Sequence, residues 1–127
     1  MARVLTVEDD TDIQFVISFA LKKAGHEVRM ANDGLAAMDA LAERLPDVVI
    51  LDWMMPGLSG PEVCRRLREM PGGQNVAVLM LSAKSEQADV TQAFEAGVDD
   101  YMTKPFSPKD LATRVQDLLA RVAGTHL

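Results

Sequence analysis

The sequence holds one cysteine, Cys64, among 127 residues. No disulfide can form within the chain, and the expected setting is a reducing cytoplasm. Long apolar runs are missing too. None approaches the roughly 20 residues that a membrane-spanning helix needs. Met1-Ala2-Arg3 leads straight into a strand-like run, without the layout of a secretory leader. Basic charge is scarce: 13 lysines and arginines against 19 aspartates and glutamates leave a net charge of −6. A chain so balanced repels nucleic acid, so any contact with DNA is expected through an effector domain absent from this sequence. Internal repeats, low-complexity stretches and linkers are also lacking. The length points to one domain, expected over residues 1–123, with 124–127 a frayed end or the start of a linker.

What is present is a fivefold alternation of strand-like and helix-like segments. Val4 to Val7, His26 to Met30, Asp47 to Leu51, Val76 to Leu81 and Asp99 to Thr103 read as strands. The third and fourth are apolar enough for a buried parallel sheet. Ile13, Val16, Ile17, Ala20, Leu21 and Ala24 recur at helical spacing behind Asp10, which reads as a cap. Asn32 is the expected N-cap of a second helix carrying Leu35, Ala36, Met38, Ala40 and Leu41. Ser59-Gly60-Pro61-Glu62 matches a capping box for the third. Lys84 to Ala96, with Val90, Ala93 and Phe94 on one side, predicts the fourth. A fifth follows Ser107-Pro108 and buries Leu111, Val115, Leu118, Leu119 and Val122. Such alternation implies an α/β three-layer sandwich around a five-stranded parallel sheet, for which the order 2-1-3-4-5 puts the apolar strands inside and the polar ones at the edges.

In a sheet of this kind ligands bind beyond the carboxyl ends of the strands. Glu8-Asp9-Asp10 follows the first run, Asp52 the third, Ser82 the fourth and Lys104-Pro105 the fifth. Three carboxylates in one crevice repel; at 4 Å and an effective dielectric near 20 each pair costs about 4 kcal/mol. Lys104 offsets one charge and a divalent cation can offset two. Oxygen donors with no His or Cys beside them favour a hard ion, and Mg²⁺ suits carboxylates, waters and a phosphate oxygen. Asp9 and Asp52 are the expected direct ligands, Glu8 the holder of a bound water, and the Met54 carbonyl a further ligand. An Asp52 oxygen is then placed to attack phosphorus in line, while Lys104 and the Ser82 hydroxyl meet the phosphoryl oxygens.

These residues carry a resemblance. Glu8-Asp9, Leu51-Asp52-Trp53-Met54-Met55-Pro56-Gly57, Ser82-Ala83 and Asp99-Asp100-Tyr101-Met102-Thr103-Lys104-Pro105-Phe106 resemble, over essentially the whole chain, the receiver domains of bacterial two-component response regulators, most of all those of the OmpR/PhoB winged-helix subfamily. The resemblance implies a flavodoxin/CheY-like fold with Asp52 as phosphoacceptor for a sensor histidine kinase. Glu8, Asp9, Asp52 and Met54 would hold Mg²⁺, and Ser82, Ala83 and Lys104 would bind the phosphoryl group. It further implies a switch pair of Ser82 and Tyr101 and a cis Lys104-Pro105 bond. A first-helix surface of Gln14, Phe15 and Ser18 is expected to dock the kinase. A homodimer strengthened by phosphorylation is expected through Val90, Asp99, Asp100, Asp110 and Arg114, although Val90 and Gln116 stand where basic residues are usual. The expected output is control of transcription, or, for a stand-alone receiver, protein contact within a phosphorelay.

Two rival chemistries lack what they need. An aspartyl-phosphate hydrolase carries a second acid two residues past its nucleophile, and Met54 stands there. A flavin or nucleotide binder needs a Ser/Thr/Gly-rich cradle after the first strand, where Glu8-Asp9-Asp10 would instead repel phosphate. The chain reads as a signalling phosphoacceptor with modest self-catalysis rather than an enzyme.

Overall fold

The computed structural model describes residues 2–125, with side chains to residue 121. Strands β1 (Arg3–Val7), β2 (Glu27–Ala31), β3 (Val48–Asp52), β4 (Ala77–Ser82) and β5 (Asp100–Thr103) alternate with helices α1 (Thr11–Lys23), α2 (Gly34–Glu43), α3 (Gly60–Glu69), α4 (Gln87–Glu95) and α5 (Pro108–Thr125). The sheet is parallel throughout, in the order β2-β1-β3-β4-β5. Successive strand residues serve opposite faces. Val49, Leu51, Val78 and Met80 pack with Ala37 and Leu41 of α2, Val63, Cys64 and Leu67 of α3 and Ala93 of α4. Val48, Ile50, Leu79 and Leu81 pack with Ile17 and Leu21 of α1 and Leu111, Val115 and Leu118 of α5.

The chain's local signals act as read at α1 and α3. The Asp10 carboxylate accepts from the Asp12 and Ile13 amides at 2.9 and 3.2 Å. Ser59 and Glu62 close the capping box reciprocally. Gly60 starts α3 against the site strand: a Cβ there would lie 2.4 Å from the Asp52 carbonyl oxygen. The Lys104-Pro105 peptide is cis.

Elsewhere the structure corrects the reading. Asp33, not Asn32, caps α2, its carboxylate accepting from the Ala36 amide at 2.7 Å; Gly34 opens that helix with its backbone close against Leu58. Helix α4 begins at Gln87, because residues 83–86 form a loop beneath the site, and β5 begins at Asp100. Val16, Leu35 and Phe94 are exposed. The buried stripe of α1 is Gln14, Ile17, Ser18 and Leu21; Ile17 and Leu21 are as read, and periodicity passed over Gln14 and Ser18 because they are polar. Helix α5 continues to Thr125, past the expected boundary at 123. The expected burial of Val122 concerns a side chain outside those described, as do residues 126 and 127 of the expected frayed end.

Candidate functional site

Parallel pairing of Val7 with Leu51 sets the ends of β1 and β3 side by side. Glu8 and Asp9 follow β1, Asp52 ends β3, Ser82 ends β4, and Lys104 follows β5. All five therefore stand at the carboxyl edge. One oxygen from each of Glu8, Asp9 and Asp52 lies within 4.8 Å of the others. Asp9 is exposed, whereas Glu8 and Asp52 are only 2% and 7% exposed. Lys104 Nζ sits between the two buried carboxylates, 2.5 Å from Glu8 Oε1 and 3.3 Å from Asp52 Oδ1. Burial raises the Glu8 pKa above its ordinary value, and the Asp52 carboxylate raises it further against the pull of Lys104. Burial alone would depress the Lys104 pKa, but the bond to Glu8 and the charge of Asp52 outweigh it, so the ammonium is held more firmly than usual.

The donor set fits a hard divalent ion: three carboxylates and no imidazole or thiolate. Its one exposed member leaves a side open to water, which Mg²⁺ keeps in its shell. Met54 is 67% exposed, and of its atoms only the carbonyl oxygen, a hard donor, belongs to the expected set.

The two expected switch residues meet on one loop residue. Ser82 is 1% exposed, and its Oγ accepts from the Lys84 amide at 3.0 Å. Tyr101 Oη donates to the Lys84 carbonyl at 2.6 Å. The Lys84 ammonium lies 5.4 Å from the centre of the Trp53 ring and 3.9 Å from an Asp89 oxygen. Ala83, the first residue of this loop, is exposed.

Gln14 and Ser18 do not form a docking surface. They are 4% and 5% exposed, facing the sheet, because the Gln14 amide is satisfied by backbone carbonyls there. Phe15 and Phe19, 70% and 60% exposed, stack with centroids 6.4 Å apart on the outer face. Of the expected dimer residues, Asp99 is engaged within the chain, pairing with Arg68 at 3.0 Å and accepting from the Val78 amide at 2.8 Å. Asp100 accepts from Arg114 through both oxygens at 3.1 Å; Asp110 is exposed and Val90 half-buried.

The sequence matches the family model for the response regulator receiver domain over residues 4–116. The chain belongs to the response regulator receiver family. This receiver is 40% identical over 121 residues to the phosphate regulon transcriptional regulatory protein PhoB of Rhizobium meliloti, covering 95% of this chain and 53% of that protein. It is 41% identical over 119 residues to the DNA-binding response regulator MtrA of Mycolicibacterium paratuberculosis, covering 94% and 52%. The chain thus spans about half the length of these relatives. Among solved structures, the receiver domain of the Francisella response regulator 1452 superposes with a TM-score of 0.88 at 34% identity, covering 95% of this chain and 98% of that one. Two-component signalling of the phosphorylation type is the function of this family.

Proposed function

We propose that the receiver is a phosphorylation switch whose acceptor is Asp52. The observation that carries this is the Asp52 carboxylate itself: it ends a buried strand, shares an acidic cluster with Glu8 and Asp9, and faces the Lys104 ammonium at 3.3 Å. An Asp52 oxygen attacks the phosphorus of a phosphohistidine on a sensor kinase. The new O–P bond forms as the P–N bond breaks, and its electron pair returns to the imidazole. Lys104 turns from Glu8 toward the phosphoryl oxygens as their charge builds. Glu8, Asp9, Asp52 and the Met54 carbonyl would hold Mg²⁺, which when bound supplies neutralising charge at those same oxygens.

The Ser82 hydroxyl only accepts from Lys84 here, so its proton is available to a phosphoryl oxygen. Turning it there would release the Lys84 amide, the residue to which Tyr101 is also bonded. Phosphorylation would thereby reach the surface of α4, β5 and α5, where a homodimer forms. The cytoplasm is the proposed location. The proposed output is control of transcription, in line with relatives named a transcriptional regulatory protein and a DNA-binding response regulator.

Incubation with Mg²⁺ and acetyl phosphate, followed by mass measurement of the intact protein, tests the acceptor. One added phosphoryl group is expected, absent in Asp52→Asn. Repeated turnover of the donor without a trapped adduct, or labelling that persists in Asp52→Asn, contradicts the proposal.

A further inference from the structure

Gln14 is a buried amide on a helix face it shares with Ile17, Ser18 and Leu21. Burying such a group costs free energy unless each polar atom is paired, and here each is. Gln14 Oε1 accepts from the Thr6 hydroxyl at 2.5 Å. Gln14 Nε2 donates to the Ala31 carbonyl at 3.0 Å, with the Thr6 and Glu8 carbonyls at 3.3 and 3.4 Å. The Ala31 carbonyl also accepts from the Glu8 amide at 3.1 Å. Glu8 is thus held on both sides of its backbone. Its N–H is tied to the end of β2, and its C=O, which belongs to the Glu8–Asp9 peptide, is tied to Gln14. The orientation of that peptide fixes where the Asp9 carboxylate stands relative to Asp52.

We infer that Gln14 is a positioning residue for cation binding: through Thr6 and Ala31 it fixes the Glu8–Asp9 peptide so that the carboxylates converge without the ion. The inference rests on the reading of Glu8, Asp9 and Asp52 as a Mg²⁺ site. Mutual repulsion of the carboxylates favours a splayed loop in the free protein; Lys104 restrains the Glu8 and Asp52 side chains, which leaves Asp9 to its backbone. Backbone restraint from beneath reduces the ordering that binding must supply. Partners of this kind behind metal ligands are typically worth about 10–100-fold in affinity.

The test is titration with Mg²⁺ at 25 °C, followed by calorimetry and by fluorescence of Trp53, the chain's one tryptophan. Gln14→Met keeps the side chain's length and loses its hydrogen bonds. It is expected to weaken Mg²⁺ binding at least about tenfold while keeping the far-UV circular dichroism of the wild type. Thr6→Val, which removes only the hydroxyl behind Oε1, is expected to weaken it less. Affinity within twofold of wild type in a folded Gln14→Met overturns the inference and leaves the site reading intact. Absence of Mg²⁺ binding in the wild type overturns both. Should Gln14→Met not fold, NMR of the wild type decides. Slow exchange of the Gln14 side-chain amide protons, slower still with Mg²⁺, supports the inference; exchange as fast as that of exposed Gln74 overturns it.

Discussion

Arg68 and Asp99 show how one side chain's company sets its role. Arg68 donates to the carbonyls of Gly73, Val76 and Gly97 and pairs with Asp99. It thereby ties the end of α3 to the entrances of β4 and β5. Asp99 reads in sequence as one of an acidic pair on a dimer face, yet it spends its oxygen on Arg68 and the Val78 amide. Nothing local distinguishes it from Asp100, whose carboxylate instead meets Arg114 across the surface. Cys64 gives a prediction at the same scale. It is fully buried against the sheet, and burial pushes its thiol up to about 11. The reactive species is the thiolate, so the native protein is expected to resist Ellman's reagent at pH 8. One thiol should react once denaturant is added; rapid labelling of the folded protein would contradict this.

In helix α1 the cap and two of the buried residues are as read, and the polar half of the buried face is not. Its sequence offers an apolar stripe of Ile13, Val16, Ile17, Ala20, Leu21 and Ala24; Ile17 and Leu21 are buried as read, but Val16 and Ala24 are exposed, and Gln14 and Ser18 complete the inward face. The inward place of Gln14 follows from hydrogen bonding, which period-based reading does not weigh: the ends of β1 and β2 present carbonyls that a glutamine can satisfy and a valine cannot. The consequence is an outward aromatic pair, Phe15 stacked on Phe19. Exposed aromatics of this kind are common anchors of protein contacts. Phe15→Ala is expected to slow phosphotransfer from the partner kinase about tenfold, with labelling by acetyl phosphate unchanged. Equal rates from the kinase would remove Phe15 from the docking surface. The other element-level shifts have similar causes. Glu86, at the N-cap of α4, makes no side-chain cap bond, and at α2 Asp33 takes the cap through the Ala36 amide while Gly34 packs close on Leu58.

For the whole molecule, the Asp100–Arg114 pair lies exposed on the proposed dimer face. Exposed ion pairs are individually weak, so exchanging it for contacts between copies costs little. Sedimentation velocity with beryllofluoride and Mg²⁺ is expected to show dimer formation that the untreated protein lacks. A monomer under both conditions rules the dimer out. Stability should also follow His26, which accepts from the Ala2 amide at 3.3 Å and whose pKa burial lowers from 6.5. The unfolded chain binds that proton more readily, so its contribution is present above pH 6.5 and fades as pH falls through the depressed value. Urea denaturation at pH 7.5 and 5.5 should therefore show a smaller acid loss for His26→Gln than for wild type. An identical loss in both would show that His26 does not contribute.

Strand identity, layer order and the five residues at the sheet's carboxyl edge are dictated by the chain itself. Uninterrupted apolar runs such as Val48 to Leu51 have no other soluble home than a sheet covered on both faces, and parallel strands deliver whatever follows them to one rim. Proximity in three dimensions was decided by packing: which way α1 turns, that Lys104 stands between Glu8 and Asp52, that Ser82 and Tyr101 both reach Lys84. Those facts depend on where carbonyls, charges and neighbouring helices end up relative to one another. Local pattern carries no measure of distances between residues as far apart in sequence as Glu8 and Lys104.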